Sequence, residues 1–118
     1  MANILVVEDE VNMLRLLRDW LEFSDHTVYM AQNGIEGLDI LNKQAVAPDV
    51  IISDLSMPEM NGFELLHKLK QNDTWKNTHF IVISGSRQDG QHAIEEGADQ
   101  FLLKPFTLNH LESALSKL

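Results

Sequence analysis

The chain has 118 residues, no cysteine and a formal net charge of −9, with 18 acidic side chains against 9 lysines and arginines. That length suits one domain spanning 1–118, and the missing cysteines exclude disulfides, thiolate metal sites and a cysteine nucleophile. The acidity argues against direct nucleic-acid binding, Met1-Ala2-Asn3 lacks a basic leader, and no apolar run nears the roughly 18 residues of a membrane span, so a cytoplasmic chain off the membrane is expected.

Ile4-Leu5-Val6-Val7 is an apolar run of strand length that ends in Glu8-Asp9-Glu10. Val11, Leu14, Leu17 and Leu21, widened by Met13, Leu16 and Trp20, then form one face of an amphipathic helix over residues 10–23. Thr27 to Met30 reads as a second strand. Asn33-Gly34 turns the chain into a helix with Ile35, Leu38 and Leu41 inward, and Gly37 inside it implies close packing or strain. Val50 to Ile52 is β-branched, too brief for a helix between Pro48 and Pro58, and reads as a buried strand with Asp54 at its carboxyl end.

Asn61 is placed to cap a third helix carrying Phe63, Leu65, Leu66 and Leu69. Phe80 to Ile83 is a fourth strand, ending in Ser84-Gly85-Ser86. A fourth helix from Gln88 to Glu96, stopped by Gly97, has the weakest pattern, because Gly90 lies inside it and only Ala93 and Ile94 are apolar. It is expected to fray. Phe101 to Leu103 makes a fifth strand leading into Lys104-Pro105, and Leu108, Leu111, Leu115 and Leu118 mark a last helix. Strands without polar alternation, alternating with helices, predict a doubly wound α/β domain with a parallel sheet.

In such a sheet the carboxyl ends of the strands share one edge, where ligands bind. Glu8, Asp9, Glu10, Asp54, Ser84 and Lys104 all fall there. Two carboxylates about 4 Å apart repel by roughly 4 kcal/mol at an effective dielectric near 20, which a proton or a cation relieves. Oxygen ligands without cysteine or paired histidine suit Mg2+ or Mn2+ and a phosphoryl group. Lys104 offers a charge for a phosphate oxygen, Ser84 a donor, and Asp54 a nucleophile. Taken singly each has a plainer explanation: acids favour a helix N-terminus, Asp is common in turns, Ser beside Gly is ordinary loop, and lysine is ordinarily solvated. His26, His67, His79, His92 and His110 show no ligand spacing.

The combination of Glu8-Asp9, the segment Pro48 to Asp54 with Met57 to Gly62, Ser84, and Gly97 to Phe106 resembles the receiver domain of two-component response regulators. That resemblance runs from Ile4 through the last helix. It implies a flavodoxin-like sheet of five parallel strands in the order 2-1-3-4-5. It also implies that Asp54 accepts a phosphoryl group from a histidine kinase or phosphotransfer protein. Glu8, Asp9, Asp54 and the backbone carbonyl of Ser56 would hold Mg2+, Ser84 and Lys104 would contact phosphoryl oxygens, and the Lys104-Pro105 bond would be cis. Phosphorylation adds negative charge and acceptor oxygens. Phe101 sits where the family places its switch aromatic, so the resemblance implies that Ser84, donating to one of those oxygens, would vacate space for Phe101 to fill, changing a surface read by a downstream protein or by an effector domain absent from this chain. By this resemblance the chain acts only on its own phosphorylation and dephosphorylation, and is no multiple-turnover enzyme. Gly37 stands where the family usually has alanine, the segment between Ser84 and Lys104 is shorter than usual, and Ser56 and Ser86 occupy positions that in this family flank the path of attacking water. Three other readings share parts of this pattern. A flavodoxin would need a phosphate-cradling loop where Glu8-Asp9-Glu10 stands, a phosphohydrolase would want an acid at position 56, and a receiver-like interaction domain would need no phosphorylation.

Overall fold

The computed structural model describes residues 2–43, 47–57 and 59–118, so Pro58 in the predicted active-site loop lies outside the described residues. The elements alternate as β1 (Asn3–Val7), α1 (Val11–Phe23), β2 (Thr27–Ala31), α2 (Gly34–Lys43), β3 (Val50–Asp54), α3 (Gly62–Lys70), β4 (His79–Ser84), α4 (Arg87–Glu95), β5 (Gln100–Leu103) and α5 (Leu108–Leu115). The strands form one parallel sheet in the order β2-β1-β3-β4-β5, as the resemblance implies.

Successive strand residues point to opposite faces, and here both faces are apolar. Ile4, Val6, Ile52, Ile81 and Ile83 meet Leu14, Leu17 and Leu21 of α1 and Leu111 and Leu115 of α5 in one core. Leu5, Val7, Ile51, Phe80 and Val82 meet Leu41 of α2, Leu65, Leu66 and Leu69 of α3, and Ala93 of α4 in the other. This two-sided burial is why the central strands read as unbroken apolar runs.

The helix ends are chemically specified. Asn61 and Glu64 form a capping box on α3, as Thr107 and His110 do on α5. At the end of α1, Asp25 N–H donates to the Glu22 carbonyl at 2.9 Å and His26 N–H to the Leu21 carbonyl at 3.1 Å. The end of α4 repeats this: Gly97 N–H reaches Ile94 at 3.1 Å and Ala98 N–H reaches Ala93 at 2.9 Å. Both are Schellman closures, which need a left-handed residue. Gly97 supplies it at φ 115°, whereas Asp25 adopts φ 67° with a side chain attached. Asp25→Gly should therefore raise stability by roughly 0.5 to 1 kcal/mol, read as a higher denaturant midpoint with unchanged slope. An unchanged or lower midpoint would contradict a strained closure.

Several helix faces differ from the expected ones. Ile35 is 46% exposed rather than inward, because α2 buries its glycine side instead. Gly34 N–H donates to the Met60 carbonyl at 3.1 Å, and a side chain on Gly37 would lie 3.3 Å from Val7. Close packing thus accounts for Gly37 and rotates Ile35 outward. Val11 and Leu16 lie at the edges of the α1 stripe and are about two-fifths exposed, at 39% and 40%. The last helix ends at Leu115, leaving Leu118 exposed. α4 is a regular nine-residue helix capped by the Ser86 side chain, which accepts from Asp89 N–H. Its inward face is Gly90 and Ala93, small residues that let it sit close to the sheet and give little hydrophobic signal.

Candidate functional site

The register of the sheet assembles the site. β1 and β3 pair up to Val7 opposite Ser53, so Glu8 and Asp54 follow one step later on adjacent strands. β4 and β5 pair up to Ser84 opposite Leu103, which brings Lys104 to the same edge. Lys104 Nζ lies 3.4 Å from Asp54 Oδ2 and 3.8 Å from Glu8 Oε1. Asp54 is 5% exposed and Glu8 1%, while Asp9 is open to solvent. Carboxylate oxygens of Glu8, Asp9 and Asp54 all lie within 4.8 Å of one another.

Within Glu8-Asp9-Glu10 the labour is divided. Glu10 serves the helix: its side chain accepts from Asn12 N–H at 3.0 Å and Met13 N–H at 2.8 Å. Charge at a helix N-terminus therefore explains Glu10 but not the two acids before it. Glu8 Oε2 accepts from Glu10 N–H at 3.1 Å, yet Oε1 is buried and has no hydrogen-bond partner among the described residues. Burial, and then the Asp54 charge, push the Glu8 carboxyl up to about 7, against the lowering effects of the Glu10 N–H and Lys104. An orphaned buried carboxylate oxygen facing two further carboxylates is the donor set of a hard divalent cation, so these residues fit Mg2+.

An open cavity of about 530 Å³ adjoins this cluster on the side of Asp54, which lines it together with Ser56, Ser84 and Lys104 among others. Ser56 is exposed at its rim. Ser84 is buried, and its hydroxyl donates to the Ser86 carbonyl at 2.9 Å while accepting from Ser86 N–H at 3.0 Å. Phe101 lies apart from this lining, on β5 opposite Val82, with its ring against Gly90 of α4. The Lys104-Pro105 bond is cis.

The predicted acids, Ser84 and Lys104 thus come together as expected. Sequence reasoning overlooked Asn61 and Asp89, which also line the cavity; it singled out Ser86, but not its cap of α4 or the backbone groups that hold Ser84 in place. The signal for Ser86 was present: a serine three residues before Asp89 at the start of a helix is a capping pattern. The histidines make local contacts, such as His26 Nδ1 accepting from Ala2 N–H at 3.0 Å and His92 edge-on to Phe63 at 5.2 Å.

The profile of the response regulator receiver domain matches residues 4–116. The KDP operon transcriptional regulatory protein KdpE of Escherichia coli is 36% identical over 98% of this chain, which spans 50% of that protein. The sensor histidine kinase TmoS of Ectopseudomonas mendocina is 32% identical over 98% of this chain, which spans 12% of it. The chain therefore corresponds to half or less of the length of these two relatives. Among solved structures, the chemotaxis response regulator CheY4 of Vibrio cholerae superposes with a TM-score of 0.91 at 29% identity, covering 99% of this chain and 98% of that one. A parallel sheet in this strand order, acids after β1 and β3, a lysine after β5, and a profile match over nearly the whole length leave one assignment: this chain belongs to the response regulator receiver domain family of two-component systems.

Proposed function

We propose that Asp54 is the phosphoacceptor of a phosphorelay in the cytoplasm, and that residues 1–118 act as one receiver unit. One observation carries this reading. Asp54 is nearly buried yet faces an open cavity, with an ammonium at 3.4 Å and two further carboxylates within 4.8 Å. In the transfer, an Asp54 carboxylate oxygen forms a bond to phosphorus while the bond from phosphorus to the donor histidine nitrogen breaks, and that nitrogen keeps the electron pair. Glu8, Asp9, Asp54 and the Ser56 backbone carbonyl would hold Mg2+, or Mn2+ in its place, which supplies charge neutralisation at the phosphoryl oxygens.

The remaining side chains orient and respond. Lys104 exchanges part of its ion pair with Asp54 for a phosphoryl oxygen. Ser84 donates to another once its hydroxyl leaves the Ser86 carbonyl. Phe101 then changes place, and the altered surface is read by a protein target or an attached effector domain. Receiver domains are not classical enzymes, and the chemistry here is directed at the chain's own aspartate. The phosphoryl donor is a histidine kinase or phosphotransfer protein.

Intact-mass spectrometry tests this. Acetyl phosphate with Mg2+ should add one phosphoryl group to the wild type, and none to Asp54→Asn or without the metal. An equal mass gain in Asp54→Asn would move the acceptor elsewhere, and no gain in the wild type with either acetyl phosphate or phosphoramidate would leave a receiver-like interaction domain.

A further inference from the structure

The Ser86 carbonyl accepts two hydrogen bonds: one from the Ser84 hydroxyl at 2.9 Å and one from Gly90 N–H at 3.0 Å. The second is the opening bond of the α4 ladder. Gly90 is buried, and a side chain there would collide with the Phe101 ring, meeting Cδ2 at 2.4 Å and Cγ at 2.7 Å. The ring is therefore seated in the space a β-carbon would fill. One short path thus joins a cavity-lining hydroxyl to an aromatic ring outside that lining: Ser84, the Ser86 carbonyl, the Gly90 amide, the Phe101 ring.

We infer that Gly90 is a positioning residue, whose missing side chain seats Phe101 and whose amide ties that seat, through Ser86, to the state of Ser84. Glycine is the poorer helix former, so an idle glycine at this position would be improved by alanine. A seat behaves oppositely, because the added methyl must push the ring aside or lift α4 from the sheet. The bond geometry gives the coupling a direction. When the Ser84 hydroxyl turns away, the Ser86 carbonyl is left with the Gly90 amide alone, and Ser86 N–H loses its acceptor. The first turn of α4 then re-forms around Gly90, and the ring resting on it is displaced.

The test has two arms, and neither requires a phosphorylated protein. In the first, urea midpoints are measured for the wild type, Gly90→Ala, Phe101→Ala and the double variant. The expected result is a lower midpoint on adding Gly90→Ala to the wild type and a higher one on adding it to Phe101→Ala, where the space is vacant. The same sign in both backgrounds overturns the seat, and the second background decides the matter even if Gly90→Ala alone fails to fold. In the second arm, Ser84→Ala removes the hydroxyl, and the Phe101 ring resonances and Gly90 amide exchange are followed by NMR. Displaced ring resonances with altered Gly90 protection are expected. Unchanged ring and amide signals overturn the coupling. The functional consequence rests on the phosphoacceptor reading: acetyl phosphate with Mg2+ should move the same ring resonances. Absence of a mass gain in the wild type would defeat that reading while leaving both arms decisive.

Discussion

Gly62→Ala is expected to lose about 3 kcal/mol of stability and to melt roughly 10 to 15 °C below the wild type. Gly62 opens α3, and its N–H donates to the Leu55 carbonyl at 3.1 Å. A β-carbon there would stand 2.4 Å from the Asp54 carbonyl oxygen and 2.9 Å from the Leu55 Cα. Both are backbone atoms, so no rotamer change relieves the contact. Either α3 must retreat from a core in which Leu65 and Leu66 are wholly buried, or the end of β3 must shift and carry Asp54 with it. Against a typical domain stability of about 5 to 15 kcal/mol, the first outcome is severe. On the phosphoacceptor reading, the second would slow phosphoryl uptake by roughly tenfold or more even in the folded fraction, because the reacting carboxylate is misplaced. Gly85→Ala is the control, since a β-carbon there meets nothing within 4 Å. Similar melting temperatures for the two variants would refute the argument.

The second large effect is expected from Mg2+ and pH together. The Glu8 carboxyl is raised from 4.5 to about 7 in the folded protein, chiefly by burial. Between those values the native chain holds a proton that the unfolded chain has released, so metal-free stability falls as pH rises through this window and levels off above it. Ionised Glu8, Asp9 and Asp54 are also the form that binds a cation. Mg2+ should therefore raise the melting temperature more at pH 8 than at pH 5. A concentration about 100 times Kd corresponds to roughly 2.7 kcal/mol. Glu8→Gln keeps an acceptor for Glu10 N–H but removes the buried charge. That variant should be more stable than the wild type without metal at pH 8, flatter with pH, and less responsive to Mg2+. Melting curves indifferent to Mg2+ at pH 8 would defeat the cation site, and a wild type whose metal-free stability rises from pH 5 to pH 8 would count against an elevated Glu8.

Much of this architecture was legible because two-sided burial leaves a simple mark. Ile51-Ile52 and Phe80 to Ile83 carry no polar alternation, so the strands and their shared edge follow from hydrophobicity alone, and Asp54, Ser84 and Lys104 follow from the edge. What escaped were features set by close approach rather than by apolar area. α4 shows little periodicity because Gly90 and Ala93 pack through smallness, so the capping pattern of Ser86 and Asp89 stood before a helix with hardly any apolar face to announce it. The outward turn of Ile35 depends on Gly34 meeting Met60, a contact between residues distant in sequence. Likewise Glu8, Asp9 and Glu10 look equivalent in the chain, and only three-dimensional placement separates the helix cap from the buried acid beside Asp54.

The pairing of Val7 with Ser53 and of Ser84 with Leu103 carries a consequence for how the protein can be assayed. A slip of one residue between β1 and β3 would exchange the side chains that one strand packs into the two cores and part Glu8 from Asp54. Misregistered molecules could retain their helices and much of their collapsed volume while being chemically silent. On the phosphoacceptor reading proposed above, phosphoryl uptake from a small donor would then count only correctly threaded molecules, a proofreading mark for refolding yield that helical content alone cannot provide.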